Sequence, residues 1–139
     1  MAVEINIGYE GDLHCIATHL PSGQSLTTDA PVDNGGKGAA FSPTDLVATG
    51  LGACVATIIG LVARRNNLPI GGLQVQVIKE MVSDPVRRIG SLKTRVVLPS
   101  GKTLAPADRA KLEAAARACP VKQSLHPDIQ VSIEFSYGD

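Results

Sequence analysis

Three side chains in this sequence could act as nucleophiles in redox chemistry: Cys15, Cys54 and Cys119. Their wide, uneven spacing does not make a disulfide scaffold. No CxxC or HxxxH spacing occurs, so a zinc site is not indicated either. Cys54 lies in Leu51-Gly52-Ala53-Cys54-Val55-Ala56. One reading is a small apolar side chain in a core, since free Cys is among the most buried residue types. The other is a reactive thiol beside an interface. Gly52, Ala56 and Gly60 recur at four-residue spacing and would permit a close helix–helix approach. The expected partner is the same helix in a second subunit.

Cys119 precedes Pro120 in Ala118-Cys119-Pro120-Val121. If Pro120 opens a helical turn, Cys119 is its N-cap, a position that favours the thiolate. An ordinary thiol is only about 3% ionised at pH 7, so a downward shift of one or two units would multiply that fraction several-fold or more. On this argument Cys119 is the more ionised thiol of the two; the alternative is a small buried cap. Cys15, between His14 and Ile16 on an expected strand, reads as structural.

The remaining polar candidates are weaker. His14, His19 and His126 are too scattered to form a ligand set, and His126, before Pro127, reads as a surface residue. Gly35-Gly36-Lys37-Gly38 lacks the spacing and the Ser/Thr of a phosphate-binding loop and reads as a flexible connection. Lys79-Glu80 and Arg87-Arg88 flank a strand turn as a solvated face from which one cation could reach over a neighbouring thiol.

The elements that would position the thiols follow from pattern. Val3 to Ile7, Leu13 to Leu20 and Ser25 to Thr28 read as a meander of three strands, separated by turns at Gly8-Gly11-Asp12 and Pro21-Ser22-Gly23. A loop from Asp29 to Ala40 leads to Ser42-Pro43, where Ser42 suits an N-cap, Pro43 the first helical position and Asp45 the first turn. The helix is expected to run to about Asn66, with Arg64 and Arg65 at its end and Pro69 beyond. Within it, Leu46 to Ala63 gives eighteen consecutive uncharged residues. That run is diluted by Gly, Thr and Ala, and the surrounding amphipathic strands need a core, so the segment reads as a core helix rather than a membrane span. Strands are expected around Leu73 to Val77 and from Arg88 to Leu98. A helix from Ala105 or Pro106 through Ala116, a break at Cys119-Pro120, a short helical stretch to Leu125 and a last strand from Ile129 to Phe135 complete the order. This predicts an α+β fold with helices on a largely antiparallel sheet, in a single domain spanning 1–139.

Composition narrows the function. The chain has 13 basic and 13 acidic residues, no Trp and 3% aromatic residues. A balanced charge argues against a nucleic-acid or acidic-membrane partner. The start, Met1-Ala2-Val3-Glu4, enters a strand-like pattern without a signal-peptide character, which points to the cytoplasm, where thiols stay reduced.

Two segments together resemble the OsmC/Ohr family of osmotically inducible and organic hydroperoxide resistance proteins. They are Ser42-Pro43-Thr44-Asp45-Leu46 with Leu51-Gly52-Ala53-Cys54, and Ala118-Cys119-Pro120-Val121 with Ser124-Leu125. Lys79-Glu80-Met81 to Arg87-Arg88-Ile89-Gly90 is similar to one OsmC-like branch, and the likeness covers nearly the whole chain. The resemblance implies an OsmC-like fold and an intertwined homodimer with the long helices at its centre. It implies thiol-dependent reduction of small organic hydroperoxides, with Cys54 attacking the peroxide and Cys119 resolving the sulfenic acid as a disulfide. A dithiol, in some members a lipoylated protein, restores the thiols. No cofactor or metal is implied. The chain departs from the family in its activating groups. Ohr-type members use an N-terminal Arg and a Glu just after the Pro of the first motif; here that position is Thr44, and no Arg precedes Arg64. Asp45 would point about 100° away from Thr44 on a helix. Lys37, Lys79, Arg87 and Arg88 are the cations that could substitute. A second reading is therefore an OsmC-fold ligand-binding or interaction dimer with little peroxidase chemistry.

Overall fold

The computed structural model describes residues 1–138. Those residues fall into two compact units, 1–47 and from Ala48 onward. In the first, β1 (Ile5–Tyr9), β2 (His14–His19) and β3 (Ser25–Asp29) form an antiparallel meander in that order. The first strand starts and ends two residues later than its sequence pattern suggests. Gly8 is paired with Ile16, and the turn is made by Gly11, Asp12 and Leu13, all at positive φ. The loop after β3 is not a free connection. It makes a 3₁₀ turn at Val32–Asn34, and Gly36 packs so closely on Ala30 that no side chain would fit there. Asp29 Oδ2 accepts the Ala39 N–H at 2.9 Å.

The helix α1 (Pro43–Asn66) spans the boundary between the units. Its start is a reciprocal cap. The Asp45 N–H donates to Ser42 Oγ at 3.1 Å, and the Ser42 N–H donates to Asp45 Oδ2 at 2.9 Å. This is the capping-box arrangement with Asp at the third helical position. Ala48, Leu51, Gly52, Val55, Ile59 and Ala63 recur at helical spacing and form its buried face. By length and composition α1 is apolar enough to cross a membrane; an 18-residue window averages a hydropathy of 2.2.

In the second unit, β4 (Gln74–Val82) and β5 (Arg88–Val97) pair antiparallel, and β6 (Gln130–Ser136) pairs with β5 in parallel. The last pairing differs from the mainly antiparallel expectation because the chain returns through α2 (Pro106–Arg117) and α3 (Pro120–Ser124). A crossover of this length is what a parallel pair requires. Along β4 the burial alternates, with Val75, Val77, Lys79 and Met81 on the half-buried face. Leu92, Thr94 and Val96 of β5 form the buried centre of the sheet. The core also takes in Leu98, Leu112, Ala116 and Cys119. A clasp ties α2 to the end of β6. The Tyr137 hydroxyl donates to Glu113 at 2.7 Å, and the Arg109 guanidinium lies 4.2 Å over the Tyr137 ring. Burial, with the Glu113 carboxylate second, pushes the Tyr137 hydroxyl far up, so it stays a donor at any physiological pH.

Candidate active site

Gly52 explains how α1 is seated. A Cβ at that position would come within 2.9 Å of Val77 Cγ2 and 3.6 Å of Val75 Cγ1. The small residue therefore serves contact with β4 inside the chain. Gly60 similarly faces Ile70, 3.9 Å from where its Cβ would be. For Gly52 the expectation of contact with a second copy of α1 is corrected by packing within one chain. Two positions along from Gly52, the partly buried Cys54 packs against the core cluster that contains Cys119.

Cys119 is the N-cap of α3, as its place before Pro120 suggests. Its backbone is extended (φ −62°, ψ 141°), and Sγ accepts the Lys122 N–H at 3.4 Å. The side chain is fully buried. Cys54 packs against the core cluster that contains Cys119, near enough for its thiol to push the Cys119 pKa up, and both thiols are reduced. Cys15 lies elsewhere, half-buried on β2 opposite Tyr9 and Thr28.

The expectation that the N-cap makes Cys119 the more ionised thiol does not hold. Burial pushes its pKa up. The Lys122 amide pulls it down, the nearby Cys54 thiol pushes it up again, and the Val121 amide is a smaller opposing donor. Desolvation outweighs the amides. Cys119 therefore holds its proton at neutral pH.

The charged candidates lie in several places. Thr44 Oγ1 is 3.2 Å from Ser42 Oγ, and Asp45 closes the cap, so both belong to the start of α1. Lys37 lines a cavity of about 350 Å³ in the first unit with Glu10, His14 and Asp29. There the Ala39 amide, with His14 and Lys37 assisting, holds the nearly buried Asp29 carboxyl below its ordinary range. Lys79 shares the half-buried face of β4 with Val77 and Met81. Arg87 is exposed in the turn after β4, and Arg88 donates to the Ile89 carbonyl at 3.2 Å. Arg88 also lines a cavity of about 260 Å³ with Glu80, Ser91 and Asp128. The reciprocal Ser42–Asp45 bond was legible as Ser-x-x-Asp spacing; the reading of Asp45 as a dipole charge alone missed it. The Asp29–His14 pair had no signal, because its partners are 15 residues apart and meet through strand register.

Compared with known proteins, residues 35–134 match the family described as OsmC-like protein. A Psychrobacter arcticus 273-4 protein described as an osmotic stress induced and detoxification response protein is 41% identical. The alignment covers 95% of this chain and 94% of that one, with a TM-score of 0.88. An organic hydroperoxide resistance protein OsmC from Legionella pneumophila shares the fold at 19% identity, with coverage of 98% and 97% and a TM-score of 0.76. An organic hydroperoxide resistance protein from Elizabethkingia anophelis does so at 16% identity, with coverage of 99% and 96% and a TM-score of 0.77. No curated protein matches the chain.

Proposed function

Because the chain belongs to the OsmC-like protein family, we propose that it reduces organic hydroperoxides with two cysteines, Cys54 attacking and Cys119 resolving. The observation that carries this reading is the packing of Cys54 against the core cluster that holds Cys119, near enough for one thiol to shift the other. Partial exposure of Cys54 and full burial of the protonated Cys119 support the division of roles. Cys54 thiolate attacks the distal peroxide oxygen, the O–O bond breaks, and the departing alkoxide takes a proton to leave as the alcohol. Cys54 is then a sulfenic acid. Cys119 brings its own proton to the second step: an S–S bond forms, the sulfenic S–O bond breaks, and water leaves. An external dithiol, of the kind a lipoylated protein carries, returns both thiols by exchange.

We take the working form to be a homodimer in the cytoplasm. Support for the dimer is the apolar surface a single chain leaves open, with Ile7 65% and Tyr9 67% exposed on β1. Among the cations, Lys79 is the one whose strand position shares a face with the core, which favours it as a charge for the site.

The test is turnover of tert-butyl hydroperoxide with a dithiol. Cys54→Ser is expected to abolish it, and full activity in that variant overturns the assignment. One observation favours a second reading, a ligand-binding dimer on the same fold: Thr44 and Asp45 are engaged at the α1 cap with Ser42. Titration of the Cys54 thiol separates the two. A value near the ordinary ~8.5 supports the binder, and one well below 7 the enzyme.

A further inference from the structure

We infer that Cys119 couples the oxidation state of the thiol pair to the folding of α3, so that closing a Cys54–Cys119 disulfide uncaps that helix. One sulfur atom holds both relationships. Sγ accepts the Lys122 N–H at 3.4 Å, and the same thiol lies near Cys54, which packs against its cluster and pushes its pKa up. Pro120 has no N–H, and the Lys122 amide in the first turn of α3 depends on this sulfur. The next, Gln123 N–H, donates to the Cys119 carbonyl at 3.1 Å.

The remaining support for α3 is slight. It has five residues, none fully buried: Val121 is half-buried against the core, Ser124 Oγ donates to the Pro120 carbonyl at 2.8 Å, and Gln123 Nε2 donates to the Arg117 carbonyl at 3.4 Å. Helices this short are marginal without a cap. Cys54, by contrast, sits within a 24-residue helix between buried Leu51 and Val55. When the two thiols become a covalent pair, the sulfurs must close on each other, and the movement falls on the shorter helix, five residues against 24. Cys119 Sγ moves toward Cys54 and away from Lys122. A sulfur held in a disulfide is also less free to face the Lys122 amide. The stretch between Pro120 and the start of β6 at Gln130 then loses its anchor, and the redox state becomes visible at the surface, where Gln123 and Ser124 are exposed.

The inference rests on the pair closing and not on what oxidises it, so diamide, an azo-type two-electron oxidant, serves as the probe. Both S–H bonds break and the S–S bond forms. The two protons and two electrons reduce the N=N bond to a hydrazine. The experiment is amide hydrogen exchange, read by NMR on the full chain with Cys15→Ser, reduced and diamide-oxidised, with the bond mapped by mass spectrometry. Oxidation is expected to speed exchange of the Lys122 amide about five- to tenfold, the scale of losing one N-cap. The Leu46 amide, bonded to the Ser42 carbonyl at the α1 cap, keeps its rate. In Cys54→Ser the diamide effect vanishes. In Cys119→Ser, where a hydroxyl caps α3, protection is the same with and without oxidant. A mapped Cys54–Cys119 disulfide with unchanged Lys122 exchange overturns the inference, as does failure of the pair to close under diamide. Absence of peroxide turnover bears only on the proposed enzyme, since it leaves both amide rates as they are.

Discussion

Helices α1 and α3 each begin on a side chain that folds back onto its own first turn, one through oxygen and the other through sulfur. At α1 the Ser42 hydroxyl and Asp45 carboxylate exchange hydrogen bonds, and behind them stands a helix with six buried residues. At α3 the Cys119 thiol accepts from Lys122, and behind it stand five residues, none fully buried, of which Val121 packs half-buried on the core. The first cap trims the end of an element that packing already holds. The second is a large share of what keeps its element formed. An oxygen cap is also inert to oxidants, whereas a sulfur cap changes its chemistry when its neighbour does.

Three substitutions test this contrast, in decreasing order of effect. Leu51→Ala, in the buried face of α1, should cost about 2–5 kcal/mol in a denaturant titration, because a cavity opens under a long helix. A loss below that range would mean that packing does not dominate at α1. Ser42→Ala should cost about 1 kcal/mol by the same measurement, with α1 still formed by circular dichroism. Cys119→Ser should change stability least at neutral pH, since Ser is itself a good cap, and its effect should appear mainly on the alkaline side. The folded thiol pKa is raised, so the stabilisation is fully present below the unfolded value of about 8.5 and is lost as pH rises toward the folded one. The natural chain should therefore lose stability relative to Cys119→Ser above about pH 8.5. Parallel pH curves for the two would remove the burial argument at Cys119.

Much of this site could be read before the fold was seen. Pro120 marked Cys119 as a cap, and Ser42-Pro43 marked the start of α1, because caps are local and depend on neighbours within four residues. The direction of the Cys119 shift could not be read that way. It depends on burial and on the nearby Cys54 thiol, 65 positions earlier in the chain, and neither is a local property. Gly52 misled for the same reason. A row of small residues announces close approach but not the approaching surface, which here is Val75 and Val77. The parallel pairing of β6 was hidden because alternation within a strand carries no information on the direction of its neighbour.

That pairing also orders events as the chain comes off the ribosome. Cys54 is made early, whereas its partner lies within the crossover that carries the chain from β5 to the parallel strand β6. Contacts across such sequence distances form slowly, because the closure entropy of the intervening chain comes first. The thiol pair should be among the last parts of the molecule to assemble. Until then Cys54 lacks its partner on a half-built protein, and the redox poise of the compartment decides what meets it first.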